Sequence, residues 1–186
     1  MKKRSLAIWI GIMVLSLAAC GKKEENTPVQ TSSQTQTESQ SQKEISLEEI
    51  HNAVKEVYGE NYLPEMPMEI NDVLNISSDL YEEAIAETPM ISAHVDTFIA
   101  IKAKEGKGEE VEKALTSYRD YLINDSLQYP MNVPKVNASS VLREGDYVFF
   151  VMLGQIKDDM AEEEDMLKQA QESNQLAIDA IKKFFE

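Results

Sequence analysis

The sequence predicts an α+β fold: one domain with an antiparallel sheet of three or more strands and helices packed on it. Three observations lead there. Between His94 and Glu186 the periodicity runs strand, helix, strand, strand, helix. Tyr147 to Leu153, YVFFVML, is apolar at every position, so that strand needs cover on both faces and sits centrally in its sheet. Glu109 to Leu122 and Asp158 to Glu186 carry apolar residues at helical spacing.

The elements follow in order. Ser46-Leu47-Glu48-Glu49 is a capping box, with Ser46 at the N-cap and Glu49 reaching back. Leu47, Ile50, Val54 and Val57 then repeat at helical spacing, and Gly59 ends the pattern. Asn61 to Met68, with Pro64 and Pro67, reads as a loop. Residues 69–88 stay open between helix and strand: Ser77 or Ser78 could cap a short helix through Tyr81, Ala84 and Ile85, while Ala-Ile-Ala also suits a strand. His94 to Lys104 alternates as a strand, with Val95, Ile99 and Ile101 on one face and Phe98 and Ala100 on the other.

In the helix from Glu109, Val111, Leu115, Tyr118 and Leu122 share one face, and Glu109, Glu110 and Glu112 sit near the first turn, where the helix dipole favours acids. Tyr129-Pro130 is a stop. Val136 to Leu142 and Tyr147 to Leu153 read as a hairpin pair around Arg143-Glu144-Gly145-Asp146. In the last helix Leu167, Ala170, Asn174, Ala177, Ile181 and Phe184 follow heptad spacing. Only about three heptads are present, so a helix packed on its own sheet is preferred to a coiled-coil seam with Asn174 setting register.

The N-terminal end says where the chain resides. Met1-Lys2-Lys3-Arg4 is basic, Leu6 to Ala19 is almost wholly apolar, and Cys20 follows; Cys20 is the one cysteine of the 186 residues. The apolar run is shorter than the ~20 residues a membrane span needs, so 1–19 reads as a cleaved secretory signal. Leu17-Ala18-Ala19-Cys20 resembles the bacterial lipoprotein box. That resemblance implies lipidation of the Cys20 thiol, cleavage after Ala19 and a mature chain beginning at Cys20, a palmitate-type anchor held by more than one acyl chain. The mature domain then has no thiol for disulfides, nucleophilic catalysis or thiolate metal sites.

From Gln30 to Gln42, 12 of 13 residues are Ser, Thr or Gln, a composition that cannot bury a core. Residues 20–44 are therefore the lipidated cysteine and a disordered tether, spanning roughly 25–30 Å root-mean-square. Residues 45–186 form the extracytoplasmic domain. The chain is acidic, with 18 basic and 33 acidic side chains and a net charge of −15, which becomes −18 once Lys2, Lys3 and Arg4 leave with the signal. Nucleic acid and anionic lipid surfaces are poor partners for such a charge.

Val95 to Gly154 resembles the core of a bacterial lipoprotein family, the domain-of-unknown-function family numbered four-three-five-eight. The resemblance rests on Asp96 opening a strand that ends Ile101-Lys102-Ala103-Lys104, a helix with Val111, Leu115, Tyr118 and Arg119, the Tyr129-Pro130 segment, and a hairpin ending Gly145-Asp146-Tyr147-Val148. It implies a cell-envelope lipoprotein, mostly of Gram-positive type, and carries no established activity.

The chemistry-bearing residues give no reaction. His51 and His94 are too far apart for a zinc spacing. Asp158-Asp159 and Glu162-Glu163-Glu164-Asp165 lack the glycine turn of a calcium loop and suit a helix start. No Gly-x-Ser-x-Gly occurs; a triad of Ser139 or Ser140 with His94 and Asp96 has nothing further behind it. Asp96 and Lys102, six apart, read as solvated edge charges. No cofactor, metal or catalytic residue is expected. Tyr129, Pro130 and Met131, in a loop, are the candidate contact patch. The expected function is that of a membrane-anchored, non-enzymatic module binding an envelope protein or the wall; the alternative is an extracytoplasmic hydrolase of peptide or cell-wall substrate.

Overall fold

The computed structural model describes residues 45–158 and 161–186, all within one compact unit. The elements are α1 (Leu47–Tyr58), β1 (Pro64–Pro67), α2 (Ile70–Leu74), β2 (Tyr81–Pro89), β3 (Thr97–Ala103), α3 (Gly108–Asn124), α4 (Val133–Ala138), β4 (Ser140–Glu144), β5 (Tyr147–Met152) and α5 (Glu163–Lys182). Short 3₁₀ turns cover Gly59–Asn61 and Pro130–Asn132. The five strands form one antiparallel sheet in the order β1-β2-β3-β5-β4. The fold is α+β, with helices on both faces of the sheet.

The strand alternation sorts the core into two layers. Phe98 and Ala100 of β3 and Phe149 and Val151 of β5 face α1 and α5, where Leu47, Ile50, Val54, Ala177 and Ile181 cover them. Ile99 and Ile101 with Val148, Phe150 and Met152 face the other way, onto Val111 and Leu115 of α3, Val136 of α4 and Leu74 of α2. The continuous apolar run of β5 is thus explained by cover on both faces. Phe98, Phe149 and Phe150 are fully buried, each contributing about 1.5–3 kcal/mol of transfer free energy. Tyr118 serves this core, edge-on to Phe150 with ring centroids 5.4 Å apart.

Local chemistry sets the element ends. Ser46 Oγ accepts a hydrogen bond from the Glu49 N–H at 3.3 Å, the N-cap half of the capping box. β4 and β5 join through the two-residue loop Gly145-Asp146, where Gly145 takes φ +64°. The Asp146 carboxylate accepts from the N–H groups of Gly106 and Gly108, capping α3 from 38 residues away.

Three expectations are corrected and one open choice is resolved. Residues 64–67 are not loop but the edge strand β1; an edge tolerates prolines because their missing N–H groups need not enter the ladder. Residues 81–89, left open between helix and strand, are strand. Val136 to Ala138 end α4 and the strand begins at Ser140; Pro134 in the first turn suits helix and not a ladder. Val57 is exposed, and Tyr58 takes its place on the buried face of α1.

The last helix packs within the chain. Asn174 is buried there: its Oδ1 accepts from the Leu153 N–H at 3.0 Å and its Nδ2 donates to Ala138 O at 3.2 Å. It staples α5 to the end of β5 and to the α4–β4 junction, so it sets no intermolecular register. Among the described residues no helix is long and apolar enough to cross a membrane.

Candidate functional site

Two connections meet at the end of the sheet that carries Pro89, Thr97 and Met152. One joins β2 to β3 and the other joins α3 to the turn before α4. Asn132, buried beneath them, donates from Nδ2 to Ala93 O at 2.9 Å and ties the two together. On this pair of connections five large apolar side chains stand in solvent: Met90, Ile91, Leu127, Tyr129 and Met131. Each is at least 60% exposed, and Leu127 makes no packing contact that reduces its surface. Ten large apolar side chains are exposed among the described residues, and half of them are gathered here. Exposed apolar side chains on two adjoining connections make this surface the candidate for a contact.

Tyr129, Pro130 and Met131 lie where the sequence placed them, in a loop and exposed; Pro130 starts the 3₁₀ turn with its fixed φ. Met90, Ile91 and Leu127 were missed. A signal was available, since Met90-Ile91 follows Pro89 and Leu127 stands in a polar stretch, both outside any periodic pattern. Their spatial meeting was not readable.

The end of the sheet is held from beneath by Asp96. It is fully buried, its Oδ2 pairs with Lys135 Nζ of α4, and its Oδ1 accepts from the Gly154 N–H at 3.2 Å. This corrects the reading of Asp96 as a solvated edge charge. β3 starts one residue later, and Lys102 pairs instead with Glu82 at 2.9 Å.

A second polar cluster joins α1 to β2. His51 Nε2 lies 3.0 Å from both Glu87 Oε2 and the Tyr62 hydroxyl, which donates to the same carboxylate oxygen at 3.0 Å. A proton on Nε2 suits this arrangement, since a lone pair there would face the Glu87 oxygen. The imidazole stacks on Phe98 at 5.4 Å. Burial lowers the His51 pKa from its usual 6.5 against the opposing pull of Glu87. Burial, and then the Glu87 charge, push the Tyr62 phenol well above its usual range. The cluster fastens a helix to a strand; five surface cavities among the described residues are lined by other residues.

Residues 56–153 match the family described as a domain of unknown function, DUF4358. The chain belongs to that family. The matched span runs from the end of α1 to just past β5, so it holds the whole sheet and both apolar connections of the DUF4358 domain. No curated protein and no solved structure matches the chain.

The other candidate residues of this DUF4358 domain are not assembled. His94 is exposed in the β2–β3 connection. The Ser139 hydroxyl donates to Val136 O at 2.6 Å, and the Asp96 carboxylate is taken by Lys135 and Gly154, so the imagined triad has no shared geometry. Among the described residues no group of three His, Cys, Asp or Glu converges. Cys20, the signal and the tether lie outside the described residues, as does Asp159 of the acidic run.

Proposed function

We propose that this chain is a cell-envelope lipoprotein, anchored through Cys20, whose DUF4358 domain binds a protein partner through Met90, Ile91, Leu127, Tyr129 and Met131. The observation that carries the reading is the gathering of these five exposed side chains on two connections tied by Asn132. Position supports it. The chain enters the domain at Ile45, whose carbonyl accepts from the Tyr147 hydroxyl at the hairpin end of β5. The patch lies at the other end, about 17 Å along that strand. The patch and the first described residue of the domain therefore lie at opposite ends of the sheet. The two connections, residues 90–95 and 125–132, contain no lysine or arginine, which suits a protein surface better than an anionic bilayer.

The reading is non-enzymatic. His51 is spent on Glu87 and Tyr62, and the serine hydroxyls beside α4 donate to backbone carbonyls.

Two results test this. Cys20→Ala should move the protein from the membrane fraction to the soluble fraction of fractionated cells; unchanged retention contradicts the anchor. Replacing Leu127, Tyr129 and Met131 together by serine should lower recovery of a crosslinked envelope partner by about tenfold or more. The denaturation midpoint should stay nearly unchanged, because exposed side chains carry little stability. Undiminished recovery contradicts the patch.

A further inference from the structure

We infer that a polar cleft between α3, α5 and the start of β4 binds a carboxylate, with Arg119 as the recognising group. Two adjoining cavities, of about 420 and 340 Å³, share Arg119, Ser139 and Ser140 in their walls. The larger is completed by Asn174, Gln171 and Gln175. The volumes fall in or near the range of small-ligand sites.

The charge of the lining is the deciding observation. The chain has 33 acidic side chains, yet no carboxylate lines either cavity. Three other surface hollows each include at least one glutamate: Glu56 in one, Glu49, Glu144 and Glu186 in the second, Glu110 in the third. The guanidinium in this cleft has no carboxylate partner among the described residues, while Arg143 pairs with Glu112 at 2.7 Å.

Arg119 is also oriented. Its Nε donates to Ser139 O at 2.8 Å and its Nη2 to Asn137 O at 3.3 Å. A guanidinium has five N–H donors, so three remain, including both on Nη1. Two backbone carbonyls fix the plane of the fork, so little side-chain entropy is lost on binding an anion. A planar pair of donors matches the two oxygens of a carboxylate. Gln171, Gln175 and Ile178 also line the larger cavity, with the Gln175 Nε2 donating to Asp179 Oδ1 at 2.8 Å. The carboxylate could be that of a free small acid or of a peptide C-terminus.

The test uses the full chain in detergent micelles with ¹⁵N-labelled arginine, of which the sequence has three, Arg4, Arg119 and Arg143. The probes are acetate, N-acetyl-trialanine with a free carboxylate, and the same peptide as its C-terminal amide. The expected result is a saturable shift of the Arg119 side-chain resonance with a carboxylate probe and none with the amide. Tighter binding of the peptide than of acetate assigns the site to peptide C-termini; equal binding assigns it to small acids. Arg119→Gln, uniformly ¹⁵N-labelled and followed through the Ser140 backbone amide, should weaken binding about tenfold or more. If that variant fails to fold, Gln171→Ala, which leaves Arg119 in place, should still weaken the peptide several-fold while the Arg119 resonance keeps responding. No saturable shift with either carboxylate, or an equal shift with the amide, overturns the inference.

Discussion

Replacing Asp96 by alanine lowers the stability of the domain by about 3–5 kcal/mol. Asp96 is fully buried and answers two groups at once: the ammonium of Lys135, whose side chain is 13% exposed, and the N–H of Gly154. Removing the carboxylate leaves a nearly buried cation without its counter-charge and a buried donor without an acceptor, each costly in a low-dielectric interior. The double variant Asp96→Ala with Lys135→Met loses less than the single one, because both charges leave together and only the Gly154 donor is orphaned. Urea denaturation of the three proteins measures this. A single-variant loss below about 1 kcal/mol, or a double variant no better than the single, contradicts the account. Since a domain of this size has about 5–15 kcal/mol in total, the loss also loosens the β2–β3 connection that carries Met90 and Ile91.

Gly154→Ala costs about 3 kcal/mol or more, from two independent sources. Gly154 holds φ +101°, a conformation that residues with a Cβ avoid. A Cβ there would also fall 2.7 Å from Ser173 Cβ and closer still to its Oγ. Thermal denaturation should show a midpoint lower by roughly 10 °C. Combining it with Ser173→Gly removes the collision and leaves the backbone strain, so recovery should be partial. Full recovery would assign the whole effect to packing; a Gly154→Ala protein as stable as the parent would contradict the geometry of the β5–α5 junction.

These two sites show why the sequence was readable in some places and opaque in others. The capping box at Ser46, the apolar faces of α1, α3 and α5, the turn at Gly145 and the run from Tyr147 depend on neighbours within a few residues, so their pattern is present in the chain itself. β1 was opaque because Pro64 and Pro67 signal a break, and only the edge position makes a strand of them. α4 was opaque because Val136, Asn137 and Ala138 suit either state, and the choice is made by packing on the sheet and on α5. Asp96 looked like a solvated acid because its partners lie 39 and 58 residues away. The contact patch was half legible for the same reason. Tyr129, Pro130 and Met131 adjoin in sequence, whereas the connection of Met90 and Ile91 is tied to theirs across 39 residues, by Asn132 and Ala93.

The central claim is that the apolar connections are the working surface of the domain. The most direct measurement places a photoreactive residue at Met131 of the full-length chain in living cells, with a parallel protein carrying it at Leu176, exposed on α5. A single dominant adduct from position 131 and none from position 176 is the result expected of a patch that docks one protein. An adduct from 176 with none from 131, or the same adducts from both, would contradict it.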